Sequence, residues 1–423
     1  MFARCSGAGW CDLALRQTGM DIVDELYSAN YLGDPAPTWR RLRNESPILH
    51  DPRQNVWIVS RYHDVAAILS DHETYSISTY AGSTGAVLGE TLIQMDGPEH
   101  VWRRSAVAPE FVGKRLEGYA AVVDTEIDRL IDTFPGDGTV DLVRDFSRFL
   151  PVNVIVALLG FGGTADQEVF RSWVTRIMTG LGPDRDARLD GLAARDEFAG
   201  HIAPYMVEPF DDDRRDLISR VCSAEHDGQR LDPDEVVAFL GLLFIAGGET
   251  TDKAIGNMWW NLLRNPELLA ACRQDSSLLE ACFSETMRRD APVIAEDRFV
   301  NHDVEWHGVT VPAGARIRGL IGAAHRDPEV FSDADRFDPE RSDLHLGLER
   351  RTGAVEHGAM HLGFGLGKHF CLGYQLARRE AVRGTQRLIE ELPGARLADP
   401  DQPGPVLSRS MRALPSLPIR YDA

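Results

Sequence analysis

The sequence predicts a mainly α-helical fold with a minor β part, formed as a single large domain over residues 1–423. Three observations support this prediction. Apolar residues recur at helical spacing through most of the chain. One helical pattern runs for about 33 residues, which would span roughly 50 Å and cross the whole molecule. Only two short segments have strand patterns, and no repeat or low-complexity linker divides the chain.

The predicted strands lie in two places. Asn55–Ser60 (NVWIVS) is short, β-branched and aromatic, and a helical pattern follows it. Val304–Ile321 alternates and contains two turn signals, so we expect short strands joined by tight turns. Helices are predicted at Pro98–Val107, Tyr119–Asp132, Val152–Leu159, Gln167–Thr179, Asp216–Ser223, Pro266–Asp275, Ser277–Arg289 and Cys371–Leu392. The first 20 residues match no pattern and can be disordered.

The longest helical pattern begins after Asp232, a good N-cap with Pro233 in the first turn, and ends before Pro266. Its first half is apolar nearly all round, which predicts burial. Gly247 and Gly248 then interrupt it, each at a cost of about 1 kcal/mol relative to alanine. Polar residues follow directly. Glycines and polar residues in the middle of a buried helix disfavour the helix locally, and such exceptions are typical of functional sites.

Charge and cysteine usage exclude several classes of protein. The 45 basic and 65 acidic residues give a net charge of −20, which argues against a nucleic-acid binder. No apolar run reaches the roughly 20 residues that a membrane span needs. The six cysteines have no zinc-binding spacing, and we expect them to be reduced, so the sequence predicts a soluble, cytoplasmic protein. They are Cys5, Cys11, Cys222, Cys272, Cys282 and Cys371.

A glycine-rich stretch near the end of the chain, HLGFGLGKHFCLGYQLARRE, surrounds Cys371. Taken alone, a cysteine of this kind is more often a buried core thiol than a ligand. Its position at a predicted helix N-terminus nevertheless favours the thiolate, which can bind iron. The stretch resembles the haem-binding loop of the cytochrome P450 family, F-x-x-G-x-x-x-C-x-G. The resemblance implies haem b (iron protoporphyrin IX) against Phe364 and Gly373, with Cys371 as the axial thiolate that favours O–O cleavage.

A second motif, SETMRRDAP, places Glu285 and Arg288 three residues apart on one helix face. An E-x-x-R pair alone is common and usually marks an exposed ion pair worth a few tenths of a kcal/mol. In the cytochrome P450 family such a pair contacts an arginine of a later segment, and FDPERS supplies Arg341. The resemblance therefore implies that these three residues hold the haem loop and have no direct catalytic role.

The middle of the long helix, AGGETT, is similar to the family motif A-G-x-[DE]-T-[ST]. The resemblance implies that Ala246 and Gly247 lie against the haem, that Thr250 hydrogen-bonds dioxygen, and that Glu249 relays protons. We expect the glycines to thin the helix at this groove and the unusual Gly248 to widen it. The alternative for Thr250 alone is a bond to the carbonyl four residues earlier. Thr251 and Asp252 have weaker claims to a role.

Four basic residues are candidates for the haem propionates. His100 and Arg104 lie four apart in DGPEHVWRR, which by itself is usually a solvated helix face. The resemblance implies that they reach the haem edge together with Arg298 and His369, because charge-assisted bonds can anchor two carboxylates inside the protein. His325 departs from the family, in which Asn is usual at this position.

The residues at the family's substrate positions are all apolar, which predicts a small or medium hydrophobic substrate. They are Leu242, Ile245 and Ala246 on the long helix, and Val293 and Ile294 after the E-x-x-R helix. The segment Ser76–Met95 is expected to cover the pocket and, because of its glycine and small polar residues, to be mobile. Met411 is a candidate for another wall.

The resemblance implies a monooxygenase that hydroxylates or oxidatively dealkylates its substrate with dioxygen and two electrons. The short stretch after Cys371 is expected to leave no room for a fused reductase, so we expect a ferredoxin and its reductase as electron donors. Lys368, Arg378 and Arg379 would form a docking patch for the acidic ferredoxin, although each is equally compatible with an ordinary surface charge. Two alternatives stay open: a biosynthetic enzyme that epoxidises or couples, and a haem sensor or carrier without turnover.

Overall fold

The computed structural model describes residues 21–161, 167–207, 216–345, 359–408 and 410–422. Residues 1–20 lie outside this range, so the suggestion that they are disordered is not tested. The described chain is mainly helical, as predicted. The helices are α1 Ala29–Gly33, α2 Ala36–Glu45, α3 Tyr62–Ser70, α4 Thr84–Leu88, α5 Gly97–Val107, α6 Gly113–Gly118, α7 Ala120–Ile131, α8 Leu150–Val156, α9 Gln167–Gly180, α10 Arg185–Ile202, α11 Leu217–Ser223, α12 Pro233–Leu263, α13 Pro266–Gln274, α14 Leu278–Arg289, α15 Ile321–Ala324 and α16 Tyr374–Glu391.

The strands are short and form one larger sheet and several small ones. They are β1 Ile48–Asp51, β2 Val56–Val59, β3 Tyr75–Ser76, β4 Thr139–Asp141, β5 Glu225–His226, β6 Gln229–Arg230, β7 Glu296–Val300, β8 Val304–Trp306, β9 Val309–Val311, β10 Arg316–Gly319, β11 Arg396–Leu397, β12 Val406–Ser408, β13 Met411–Ala413 and β14 Pro418–Arg420. The five-stranded sheet has the order β1-β2-β10-β7-β3, in which only the β2–β10 pair is parallel.

Both predicted β segments are strands. The β8–β9 turn uses His307 at φ 48° and Gly308 at φ 76°, and Gly314 at φ 77° turns the chain into β10. These left-handed conformations explain why glycine stands in the turns. The sheet packs its apolar face, which includes Val59 and Ile317, against α3 in a core of its own.

Helix α12 organises the larger core. It begins in a capping box, because the Asp232 carboxylate accepts the Glu235 N–H at 2.9 Å and the Glu235 carboxylate accepts the Asp232 N–H at 2.9 Å. It then continues for 31 residues without a break. Helices α8, α9, α14 and α16 pack around it, and large side chains such as Phe244 and Trp259 are fully buried. The polar middle of α12 is therefore held inside a rigid frame.

The largest element that the sequence patterns do not predict is α10. It has 18 residues, yet its buried positions are only Gly191, Ala194, Phe198 and Ile202. Such a narrow stripe of mostly small residues gives a weak periodic signal.

None of the described helices combines the length and apolar character that a membrane span requires.

Candidate active site

The segment before α16 holds Cys371 in a tight glycine-dependent bend. Gly365 and Gly367 have φ values of 71° and 67°, which only glycine adopts readily. The Cys371 N–H donates to the Phe364 carbonyl at 2.8 Å and closes the bend. Helix α16 begins at Tyr374, so the predicted helix start at Cys371 is wrong by three residues. The bend thus leaves the thiol just ahead of the helix.

The electrostatic environment of Cys371 combines opposing effects. Burial raises the pKa of the thiol, whereas the backbone N–H groups of Gly373 and Tyr374 and the Arg104 guanidinium lower it. The positive field expected from the helix N-terminus is therefore present, but burial outweighs it in the protein alone. A metal cation bound to the sulfur would reverse this balance, because a coordinating thiol loses its proton.

Glu285, Arg288 and Arg341, which we call the support cluster, lie together as the sequence predicted. Glu285 and Arg288 form two parallel bonds of 2.7 Å, with both side chains fully buried. Arg341 lies 3.4 Å from the Glu285 carboxylate. The guanidinium of Arg288 also donates to the carbonyls of His325, Ala334 and Arg336 at 2.7–3.0 Å. A bidentate buried pair with this many partners fixes the segments around it.

His325 connects the support cluster to the cysteine segment. Its carbonyl accepts from Arg288, and its Nε2 accepts the Leu362 N–H at 2.6 Å. The departure from Asn therefore still supplies a hydrogen-bond acceptor at this position. His361, to which the sequence assigned no role, lies between this histidine and Phe364, with ring centroids 6.4 and 5.6 Å away. Burial lowers the pKa of His361 to about 4, so it is neutral at pH 7.

The glycines in the middle of α12 serve close helix packing. An added Cβ on Gly247 would lie 2.8 Å from Ile155 Cγ1, and one on Gly248 would lie 3.0 Å from Val152 Cγ2. Both glycines therefore face α8, and the expectation that Gly248 widens a groove is wrong. Ala246 is exposed although most of the helix around it is buried. The open side of α12 at this level is thus the side that carries Ala246.

Glu249 and Thr250 follow at the same level, and each has a local partner. The Thr250 hydroxyl donates to the Ala246 carbonyl at 3.1 Å, which is the back-bond that the sequence offered as an alternative. Glu249 Oε1 accepts from Lys253 Nζ at 2.9 Å, while Glu249 Oε2 has no hydrogen-bond partner among the described residues. The sequence analysis missed Lys253, although its i,i+4 spacing from Glu249 was a usable signal.

Asp252 faces a different neighbour from Glu249. Its carboxylate accepts the Ser147 hydroxyl at 2.5 Å, and burial raises its pKa. Thr251 is buried. The contact of Asp252 with Ser147 and the burial of Thr251 place both side chains away from the exposed Ala246, which agrees with their weaker claims.

Three of the four predicted propionate ligands lie together beside the cysteine. The His100 and His369 rings are 4.3 Å apart between centroids, and the Arg104 guanidinium donates to the Phe370 carbonyl at 2.6 Å. His369 Nε2 bonds Asp96 at 2.9 Å, a partner that the sequence analysis missed. His100 is buried, and neither ring nitrogen has a hydrogen-bond partner among the described residues. Burial and the neighbouring cations lower the pKa of His100 to about 4.

Arg298 lies on β7, and its contacts are with that strand. Its guanidinium donates to the Asp297 carbonyl at 2.8 Å and to Glu296 at 3.3 Å. Tyr80 donates to the same Glu296 carboxylate. Arg298 is therefore tied to the Ser76–Met95 segment through Glu296 and Tyr80.

The residues at the predicted substrate positions differ in exposure and lie in different parts of the core. Ala246 is exposed, whereas Leu242 and Ile245 are buried in the core around α12. Val293 pairs with Met411 in a β-bridge, and Ile294 packs in a separate core with Trp39.

The Ser76–Met95 segment is folded. It contains α4, whose buried Leu88 lies next to Gly241 of α12 and whose buried Val87 lies next to Gly191 of α10. The expected mobility of the segment stays a prediction.

The basic residues near the cysteine segment all have partners. Arg378 pairs with Glu280, and Arg379 donates to the Leu116 carbonyl at 3.1 Å. Lys368 contacts His72 and is exposed. The predicted patch is thus partly neutralised.

The residues present fit a flat dianionic group that carries iron. An unpaired buried histidine requires a partner, and His100 presents two such nitrogens. An added Cβ on Gly373 would meet no atom within 4 Å, so the segment after Cys371 borders open space. We name Ala246, Glu249, Thr250 and His100 the cleft group, because Ala246 is exposed, Thr250 is half-buried at the same level, and Glu249 and His100 have polar atoms without a partner among the described residues.

Comparison with known proteins identifies the family. The family model described as Cytochrome P450 matches residues 192–392. The chain is 34% identical to Cytochrome P450 107B1 of Saccharopolyspora erythraea, over 87% of this chain and 90% of the relative. It is 33% identical to the Cytochrome P450 monooxygenase PikC of Streptomyces venezuelae, over 93% and 92%.

A solved structure agrees with these relatives. CYP109E1 from Bacillus megaterium in complex with corticosterone superimposes with a TM-score of 0.80, at 28% identity, over 93% of this chain and all of that chain. The mainly α fold predicted from the sequence is thereby confirmed. The chain belongs to the cytochrome P450 family of haem-dependent monooxygenases.

Proposed function

We propose that this chain holds haem b through the Cys371 thiolate and inserts one oxygen atom from dioxygen into a small or medium hydrophobic molecule, by hydroxylation or oxidative dealkylation. One observation carries the proposal: the polar break in α12 lies beside Ala246, an exposed residue in the middle of a mostly buried helix. An acid and an alcohol, Glu249 and Thr250, lie half-buried at the same level of the helix. When bound, haem supplies electron transfer and dioxygen activation.

The chain's own residues would hold the group and supply protons. His100, Arg104, His369 and Arg298 would bind the two carboxylates, of which His100 offers nitrogens that no described residue uses. Phe364 and Gly373 would lie against the group beside Cys371, and Ala246 would lie against it from α12, whereas Gly247, which the resemblance also implied, packs against Ile155 of α8. Glu249 would hold a proton on its unpartnered Oε2 and pass it to the Thr250 hydroxyl. Thr250 would have to turn away from the Ala246 carbonyl to donate in the other direction.

The substrate class rests on the apolar side chains at the predicted pocket positions. Ala246 presents a methyl group to the open side of α12, and Val293 with Met411 supplies apolar atoms at another wall. The structurally similar CYP109E1 is described in complex with corticosterone, a steroid. We therefore propose a hydrophobic substrate of steroid, terpenoid, aromatic, fatty-acid or polyketide type.

The electron donor in this proposal is a separate ferredoxin with its reductase. Lys368 is exposed, and Arg378 and Arg379 lie on the first turns of α16. An acidic partner would compete with Glu280 for Arg378. The prediction of a cytoplasmic location stays a prediction.

Substitution of Thr250 by alanine tests the proposal. With a surrogate ferredoxin and a bound hydrophobic compound, the variant should consume NADPH at a similar rate but release most of the electrons as hydrogen peroxide. Thr251→Ala, next to it but buried, is the matched control and should keep product formation. If Thr250→Ala and the wild type do not differ in NADPH consumption, peroxide release and product formation, the result would favour a haem sensor or carrier without turnover.

The ligand assignment has a test of its own. The reduced, carbon-monoxide-bound spectrum of the wild type should have the red-shifted band that a thiolate ligand produces, and Cys371→Ala should lose it. Persistence of that band in Cys371→Ala would overturn the assignment, whatever the result with Thr250→Ala. Titration of the haem spin state with a library of hydrophobic compounds would then identify the substrate class.

A further inference from the structure

Two cysteines outside the active site face each other inside a helical hairpin. Cys272 lies on α13 and Cys282 on α14, and their sulfur atoms are 3.7 Å apart. Both side chains are buried, with relative exposures of 1% and 0%. The described residues contain no further histidine, cysteine or carboxylate near enough to complete a metal site with them. The pair is therefore suited to thiol chemistry between its two members.

The contact between the sulfurs makes the two thiols chemically unequal. A hydrogen bond from Cys282 lowers the pKa of Cys272, and the same interaction together with burial raises the pKa of Cys282. One thiol is thus the better nucleophile and the other the proton donor. Since either sulfur can be the donor in the contact, the geometry does not depend on which one reacts first.

The hairpin allows the sulfurs to approach. A disulfide bond is about 2.05 Å long, so the sulfurs must come closer by less than 2 Å. Helix α13 has nine residues, of which only Leu269 and Cys272 are buried. So small an apolar anchor permits a short helix to shift or open locally. The same local opening admits a small oxidant to the buried pair.

We propose that Cys272 and Cys282 are a modification site at which hydrogen peroxide converts the two thiols into an intramolecular disulfide. The first sulfur attacks one peroxide oxygen, the O–O bond breaks, and a sulfenic acid and one water form. The second thiol displaces the hydroxyl as a second water, and the S–S bond forms. Two electrons from the sulfurs reduce one peroxide to two waters. The inference rests on the proposed function only for the origin of the peroxide, because unproductive turnover of a monooxygenase releases hydrogen peroxide.

The modification would act on the support of the cysteine segment. Helix α14 also carries Glu285 of the support cluster and Phe283, whose ring lies 6.2 Å from that of Phe364. The Phe364 carbonyl accepts the Cys371 N–H. A disulfide would link α13 covalently to α14, the helix that carries these groups. Oxidation by the enzyme's own by-product would therefore change the support of the segment that contains Cys371.

Peptide mapping of the haem-loaded protein tests this proposal. Trypsin cuts after Arg264, Arg273 and Arg288, so the two cysteines fall in separate peptides, 265–273 and 274–288. After treatment with added peroxide and alkylation without reduction, these peptides should appear joined, lighter by two hydrogens than their sum. Added peroxide makes the result independent of monooxygenase activity.

Variants complete the test. Cys272→Ala and Cys282→Ala should each abolish the joined peptide, and the remaining cysteine should be trapped as a sulfenic acid by dimedone. Cys222→Ala, at a buried cysteine on α11, is the control and should leave the joined peptide unchanged. The proposal would be overturned if the two peptides stayed unlinked and reduced while the other cysteines were oxidised. A sulfinic acid on either member of the wild-type pair would overturn it as well.

Discussion

The support cluster and the cleft group differ in how completely the protein satisfies their polar atoms. Around Glu285 and Arg288, two guanidinium–carboxylate bonds and three backbone carbonyls form a network that is fully buried. In the cleft group, Glu249 keeps one oxygen without a partner and His100 keeps two nitrogens. Glu285 and Arg288 are fully satisfied, and Arg341 Nε is the one described atom of the support cluster without a hydrogen bond, whereas the cleft group has three such atoms.

This difference separates two motifs that look alike in a sequence. E-x-x-R and the Glu-Thr pair both place charged or polar residues on an apolar helix. Only the contacts show that Glu285 and Arg288 are satisfied within the protein and that Glu249 has an oxygen without a partner among the described residues. His361 is an exception, because it is buried near the support cluster with both ring nitrogens lacking a described partner. Orphaned atoms therefore indicate a ligand only where open space adjoins them, as it does beside Ala246.

The largest expected effect is that of Glu285→Ala. Removal of one member of a buried ion pair leaves the other charge without compensation and typically costs about 3–5 kcal/mol. Urea denaturation should show a loss of this size, or the protein should fail to accumulate. The matched control is Glu280→Gln on the same helix, whose partner Arg378 and own side chain are both partly exposed; it should cost under about 1 kcal/mol. Equal effects would mean that burial does not distinguish the two regions.

His100→Phe is expected to have the next largest effect, on haem retention. In the haem-free chain the ring nitrogens have no described partner, so the unfolding free energy should change little. A lost hydrogen bond to a charged group is worth about 2 kcal/mol, or roughly 30-fold in affinity. Haem transfer to apomyoglobin should therefore be about 30-fold faster.

The neighbouring Arg103 offers the control for this experiment. Its guanidinium is already paired with Glu99 at 2.7 Å and Glu235 at 2.6 Å. Arg103→Gln should lower the unfolding temperature and leave haem transfer unchanged. A haem transfer rate of His100→Phe equal to the wild-type rate would remove His100 from the cleft group.

Acid should weaken the support region through His361. Its pKa is about 4 in the folded protein and about 6.5 when unfolded, so the unfolded state binds the proton more readily. The contribution of neutral His361 to the unfolding free energy is fully present above about pH 6.5. It is lost as the pH drops toward 4, by about 2 kcal/mol between pH 7 and pH 5. Urea midpoints across this range should fall less steeply for His361→Gln. His302→Gln, at an exposed position, should follow the wild type.

The sequence predicted the support cluster better than it predicted the cleft. Motif spacing along one helix placed Glu285 and Arg288 together, and the family resemblance implied Arg341 as their partner. Spacing gives no information on which way a helix faces, so the glycines were assigned to the groove although Gly247 packs against Ile155. Partners that come from distant segments, such as Asp96 for His369, also leave no local pattern. Folding, and not spacing, brings them together.

The smallest expected effect is that of Lys253→Met, and it tests the comparison most directly. Glu249–Lys253 and Glu285–Arg288 have similar contact distances, 2.9 and 2.7 Å, and each lies within one turn of a helix. They differ in burial, because the side chains of the first pair are 28% and 15% exposed and those of the second are fully buried. A partly exposed helical pair is worth about 0.5 kcal/mol, so the urea midpoint should move little.

The same variant should also keep Glu249 available as an acid, since its Oε2 does not depend on Lys253. Product formed per NADPH should therefore stay near the wild-type value in Lys253→Met and fall in Glu249→Gln. A loss of about 3 kcal/mol in Lys253→Met, comparable to a broken buried pair, would show that Glu249 belongs to the scaffold. In that case the unpartnered Oε2 would be a packing defect, and the proton would have to reach Thr250 by another route.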